Sequence, residues 1–285
     1  MRMMEFLSTT TGACMFAVFC WWLGTGAILW LVRLPTSTFR WSMFFLSFLL
    51  GLSLWTTSIS MRSHSVLNAY IGFVSVIAMW SWHEMAFLTG WLAGPRRVAL
   101  DPGLSLNRRF GQSVMALLYH EVALLFNFGV LLALQQGQPN HVALCTFALL
   151  WCMRLSAKLN LFFGVPQVGE QYLPVHLRYI GSYFKSGRIS PFFFFTITLS
   201  VVIWTWMVWE LKTGAVTIST GWVLLSSLLG LAIIEHLLMV IALPLQRLWG
   251  WAMKRSPYGT NRAPLADTTV AVRAPVTATN QADAA

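Results

Sequence analysis

Three times in this chain a histidine and a glutamate stand side by side: His83-Glu84, His120-Glu121 and Glu235-His236. The chain has six residues of each type, so half of each lie in these pairs. Imidazole nitrogens combined with carboxylate oxygens are the ligand set of non-haem iron, manganese and zinc centres, including the di-iron sites built between facing helices. Adjacent residues on a helix point about 100° apart, so one member of a pair can bind a divalent metal while its neighbour orients a ligand from the next helix. None of the pairs has the Glu-x-x-His spacing of di-iron bundles or the HExxH spacing of zinc proteases, so residue type carries this reading and spacing does not.

Two other chemistries use the same residues. Buried Glu and His can glue helices together by hydrogen bonds or relay protons, and a histidine can be the axial ligand to the magnesium of a bacteriochlorophyll or to haem iron. The three readings stay open on residue type alone.

The elements that must position the pairs follow from composition. The chain is 57% hydrophobic and 10% charged, with 15 Trp and 20 Phe. A soluble domain carries about 25% charged residues. Apolar windows near the bilayer-spanning length of ~20 residues occur at 12–32, 41–60, 67–92, 112–134, 140–163, 191–211 and 220–243. The fold class expected is therefore all-α, a polytopic membrane bundle of seven helices. The transmembrane domain takes in 1–253, with an interfacial, partly helical segment at 164–190 that ends in Ser190-Pro191, a good helix start. A Thr-, Ala- and Pro-rich tail, 254–285, reads as disordered.

The net charge of +10 would suggest nucleic acid in a soluble chain. Here the basic residues lie mainly between spans and in the tail, where they set topology and meet lipid headgroups, so no nucleic-acid partner is expected. Sixteen of the nineteen Lys and Arg fall on one side of the seven-span topology, which puts the C-terminus in the cytoplasm and the N-terminus outside. Cys14, Cys20, Cys145 and Cys152 have no CxxC spacing and read as small core residues. GWLAG, residues 90–94, has GxxxG spacing but falls at a span end, where loop chemistry is the better reading than a dimer seam. The tryptophans read as lipid-facing and interfacial packing.

The topology also gives depth. Counting from the cytoplasmic ends at a 1.5 Å rise, each pair lies roughly 10–14 Å into the bilayer. All three therefore share one layer, and intramembrane charges usually face the bundle interior and partner one another. Arg154 belongs to the same layer and could counter the carboxylates; Lys158 and Asn160 could face it; Glu170 and His176, in the interfacial segment, could close it from below.

SWHEMAFLTGWLAGPRR, YHEVALLFN and KLNLFFGVPQVGEQYLPVHLRYIGSYF together resemble the PuhE family, the photosynthetic complex assembly proteins of purple phototrophic bacteria. The resemblance runs over roughly residues 10–250. It implies a multi-pass protein of the bacterial inner membrane, encoded near the reaction-centre H subunit and needed for normal levels of photosynthetic complexes or their pigment. Implied partners are the lipid bilayer and reaction-centre or light-harvesting subunits or bacteriochlorophyll enzymes. The family supplies no catalytic residues. Two functions remain: a non-enzymatic assembly factor, or a metal-dependent oxidoreductase or its auxiliary in bacteriochlorophyll biosynthesis.

Overall fold

The computed structural model describes residues 2–170, 173–213, 220–241 and 249–253. The predicted tail at 254–285 lies outside the described residues, as does the end of the last predicted span. The helices are α1 Arg2–Leu7, α2 Thr10–Leu31, α3 Phe39–Ser60, α4 Val66–Leu88, α5 Leu106–Gln135, α6 Val142–Phe163, α7 Pro191–Thr213, α8 Thr220–Leu237 and α9 Gly250–Met253. Seven of them, α2 to α8, are long and apolar enough to cross a membrane. Among the described residues there is no β-strand, only an isolated bridge between Val165 and Ser186. The protein is an all-helical, multi-pass membrane bundle.

Local chemistry sets the helix ends. The hydroxyls of Thr9 and Ser65 accept from the Gly12 and Asn68 amides at 3.0 and 3.1 Å, capping α2 and α4 where the first backbone N–H groups lack helical partners. α6 stops at Gly164, whose φ of 132° suits glycine and few other residues. α7 begins at Pro191, which has no N–H to leave unpaired at a first helical position. α5 begins six residues before the predicted start at 112, because its first turn, Leu106 to Arg109, is polar and escapes a hydropathy window.

α4 and α8 are the most enclosed spans, and the core forms around them. Phe73 of α4 packs with Leu224 and Leu228 of α8 and with Ala13 and Ala17 of α2, whose small side chains let the helices approach closely. On its other side, Val76 and Met79 of α4 meet Leu124 and Leu131 of α5 and Phe147 of α6. Large apolar side chains also cover the outside, among them Trp41, Phe44, Phe48 and Trp55 of α3 and Phe126 of α5. In lipid that surface needs no burial, because hydrocarbon is as apolar as the side chains.

The cysteine expectation fails in its detail. All four are free thiols, but Cys14, Cys145 and Cys152 are exposed on the bundle's outer surface, where a weakly polar thiol is tolerated by lipid.

The loop between α4 and α5 is laid on α5 itself. Ala93 O accepts from the backbone N–H groups of Tyr119 and His120 at 3.1 and 3.3 Å, and Met115 O accepts from Arg96 N at 3.4 Å. Two backbones meet this closely only where no Cβ stands between them, and the residue at the contact is Gly94: a Cβ there would lie 2.0 Å from Met115 O. The GWLAG segment is thus loop chemistry, as its place at a span end suggests. Beyond it, Arg96 donates to Asp101 at 2.7 Å. Gln112 and Arg96 together hold the Asp101 carboxyl below its ordinary range.

Candidate functional site

The polar layer is organised by α6. Three of its residues within five positions reach three different helices. Arg154 donates through Nε and Nη2 to Glu84 Oε1 of α4 at 2.9 and 2.6 Å. Ser156 lies 3.0 Å from His236 Nε2 of α8. Lys158 donates to Glu121 Oε1 of α5. Arg154 and Lys158 are four apart and share a face, while Ser156 points roughly opposite, so one helix serves both sides of the layer. Lys158 also lies within electrostatic reach of Glu84, which joins the two ion pairs into one cluster.

Each carboxylate of the three pairs also accepts from an indole. Trp80 donates to Glu84 at 3.1 Å, Trp151 to Glu121 at 3.2 Å and Trp21 to Glu235 at 2.5 Å. Hydrophobicity scales read these tryptophans as packing, yet each indole supplies a hydrogen bond that a carboxylate in hydrocarbon could not obtain from water. The signal was partly present in the sequence: Trp80 and Glu84 have i,i+4 spacing, and Trp206 and Glu210 repeat it with a 3.1 Å bond.

The histidines differ from one another. His236 is fully engaged: Nδ1 donates to Ala232 O at 2.8 Å and Nε2 accepts from Ser156. Asn127 Nδ2 of α5 lies 2.9 Å from His83 Nε2; an amide nitrogen donates, so Nδ1 of His83 carries the ring proton. His83 Nδ1, His120 Nδ1 and Asn127 Oδ1 are buried without a hydrogen-bond partner in the protein. His120 packs its ring 4.8 Å from that of Phe87.

These contacts sort the eleven sequence candidates. Glu84, Arg154, Glu235 and His236 line a cavity of about 490 Å³ between α2, α4, α6 and α8. His83, His120 and Glu121 lie on the α5 side of the layer and do not line it. Glu170 and His176 do not reach the layer. His176 Nε2 lies 2.9 Å from Leu88 O and ties a 3-10 stretch, Val175–Tyr183, to the end of α4, while Glu170 packs against Gly181. Their neighbours Gln167, Val168 and Gly169 line the cavity instead. Lys158 does face the cluster, whereas Asn160 donates to Thr196 Oγ1 of α7 at 3.1 Å.

The donor set does not fit a metal ion. Among the described residues no three of His, Cys, Asp and Glu converge, and the carboxylates that would ligate one are held by a guanidinium, an ammonium and three indoles. What the layer does contain is a hollow with mostly aliphatic walls, such as Ile28, Ile77, Leu149 and Leu228, and polar groups contributed by α4, α6 and α8. Glu84 is buried, but 44% of the Arg154 side chain is open, and the space it opens into is this cavity. Only two of its five N–H donors are taken up by Glu84. The remaining fork is available to a guest.

The second ion pair seals the α5–α6 seam. Lys158→Met is expected to leave Glu121 with Trp151 alone and to lower stability by about 2 kcal/mol, less than for a fully buried carboxylate because Glu121 is 26% exposed. Thermal unfolding of the detergent-solubilised protein measures this.

The chain is similar to a Rhodobacter capsulatus protein described as "Uncharacterized 30.4 kDa protein in puhA 5'region", 38% identical over 244 residues, which cover 83% of this chain and 88% of that protein. No solved structure matches. A family model described as "Protein of unknown function (DUF3623)" matches residues 7–260, which takes in all seven spans and the whole polar layer, and the chain belongs to that family.

Proposed function

We propose that this protein is an assembly factor of the bacterial photosynthetic apparatus, a PuhE-type protein of the inner membrane that holds an apolar pigment for transfer to reaction-centre or light-harvesting subunits. The observation that carries the reading is the cavity: about 490 Å³ of mostly aliphatic space inside a membrane bundle, with one half-free arginine on its wall. Pockets of roughly 300–1,000 Å³ with apolar walls and a few placed polar groups are the usual form of a small-molecule site. A bacteriochlorophyll or a late precursor is a flat apolar body with keto and ester oxygens at its edge. The spare N–H groups of Arg154 suit those oxygens, and the aliphatic walls suit the ring and tail. His236, with both ring nitrogens engaged, is not offered as an axial ligand.

The gene position of the Rhodobacter capsulatus relative, beside puhA, supports the photosynthetic setting. The bias of Lys and Arg supports an orientation with the 89–105 and 164–190 loops in the cytoplasm, where bacteriochlorophyll synthesis would deliver its product.

The test uses Glu84→Leu with Arg154→Leu, which removes the pair without stranding either charge. A strain carrying this double variant should keep the protein in the membrane and retain extractable bacteriochlorophyll, but lose most of the near-infrared absorbance of assembled complexes. Wild-type protein purified in mild detergent should carry pigment that the double variant lacks. Normal complexes in the double-variant strain would overturn the proposal, and accumulation of a defined chemical precursor would favour an enzymatic role.

A further inference from the structure

Four arginines flank the α4–α5 loop, and they divide cleanly by partner. Arg96 is bound to Asp101 and receives further acceptors from Ala99 O and the Tyr183 hydroxyl. Arg109 turns inward, donating to Phe162 O and Tyr183 O at 2.9 Å and lying over the Phe162 ring. Arg97 and Arg108 are exposed, and neither has a carboxylate within ion-pair distance among the described residues. Arg97 makes one long bond, 3.4 Å to Gly94 O. Asp101 is engaged elsewhere: its two oxygens accept from Arg96 and Gln112, and its ion pair is with Arg96. The Tyr179 hydroxyl lies within electrostatic reach of Arg97, but burial pushes that phenol up, so it brings no negative charge.

Both free arginines line the same open hollow, about 680 Å³, between the loop and the start of α5. Its other walls include Val98 and Met115, and Gly111 lines it without a side chain. Below it on α5 the exposed surface is apolar: Phe110, Val114, Met115 and Val122 are all more than two-fifths exposed. Two unpaired guanidinium groups at the end of a span, above a strip of apolar surface running down that span, match the two halves of one molecule. The guanidinium fork suits phosphate oxygens, and the strip suits an acyl chain.

We propose that the Arg97–Arg108 hollow is a binding site for one anionic phospholipid, with the phosphate between the two arginines and an acyl chain along the outer face of α5. The loop that carries Arg97 is fixed to the α5 backbone through Ala93 and Gly94, so the backbone positions from which the two arginines extend are set relative to one another.

The experiment is native mass spectrometry and thermal unfolding of the full chain in a neutral detergent, titrated with phosphatidylglycerol, phosphatidylcholine or inorganic phosphate alone. Wild-type protein should retain one phosphatidylglycerol per chain and melt higher in its presence. The Arg97→Gln/Arg108→Gln protein should bind it at least tenfold more weakly, with an unchanged melting temperature in lipid-free detergent. Arg97→Lys/Arg108→Lys, which keeps charge and loses the fork, should fall between them. Equal phosphatidylglycerol binding by wild type and the Gln variant overturns the site. So does equal loss in Arg40→Gln, whose guanidinium lies over Trp41 on α3. Stabilisation of wild type by inorganic phosphate as large as that by the lipid would assign the arginines to a soluble anion and overturn the lipid.

Discussion

Arg154→Leu is expected to be among the most damaging single substitutions in the chain, lowering stability by about 3 kcal/mol and sharply reducing the yield of folded protein in the membrane. The argument rests on what is left behind. Glu84 is buried in α4, and two of its three hydrogen bonds come from Arg154, the third from Trp80. A carboxylate left with a single indole inside a bilayer must take up a proton or open the bundle. The figure sits at the lower end of the usual range for breaking a buried pair because the cavity beside Arg154 can admit water. Adding Glu84→Leu should recover most of the loss, since replacing both members with apolar groups strands nothing. The comparison is read from the melting temperature of the two purified variants. Equal melting of the single and double variants would show that the pair does not hold α4 to α6.

Gly94→Val is expected to be comparably severe, at about 3 kcal/mol or more, through overpacking and the loss of inter-backbone hydrogen bonds. The Cβ alone would approach Met115 O at 2.0 Å and the Ala116 carbonyl carbon at 2.5 Å, and backbone cannot give way as a flexible side chain can. The loop would have to lift, breaking the bonds from Tyr119 and His120 to Ala93 O. Because that contact sits at His120, the lesion should spread to the Glu121–Lys158 pair one residue further on. Hydrogen exchange resolved along the chain checks it: faster exchange should centre on residues 90–97 and 115–121 in Gly94→Val, and stay normal there in Gly111→Val, where a Cβ meets open space.

The spans were legible because bilayer thickness writes itself into sequence as runs of apolar residues, and Ser190-Pro191 marked the start of α7. The gathering of charges at one level was legible too, because each is costly alone in lipid. How they pair was not. His83 and Glu84 are adjacent in sequence but serve different neighbours, Asn127 of α5 and Arg154 of α6, because a helix turns about 100° between them. Depth counted from span ends gave no warning that α5 begins early at Leu106, or that Ala93 and Gly94 would lie on its backbone. The contribution of Trp80, Trp151 and Trp21 was hidden because hydropathy scores an indole by its ring and passes over its N–H.

The two ion pairs along α6 have an electrical consequence. Glu84 with Arg154 and Glu121 with Lys158 each sum to zero charge. A lone charge moved across a membrane gains or loses roughly 2.3 kcal/mol per 100 mV, whereas a paired unit feels the field only through its small dipole. A change in membrane voltage therefore finds no net charge to pull on in either pair, and the grip of α6 on α4 and α5 stays the same as the voltage rises and falls.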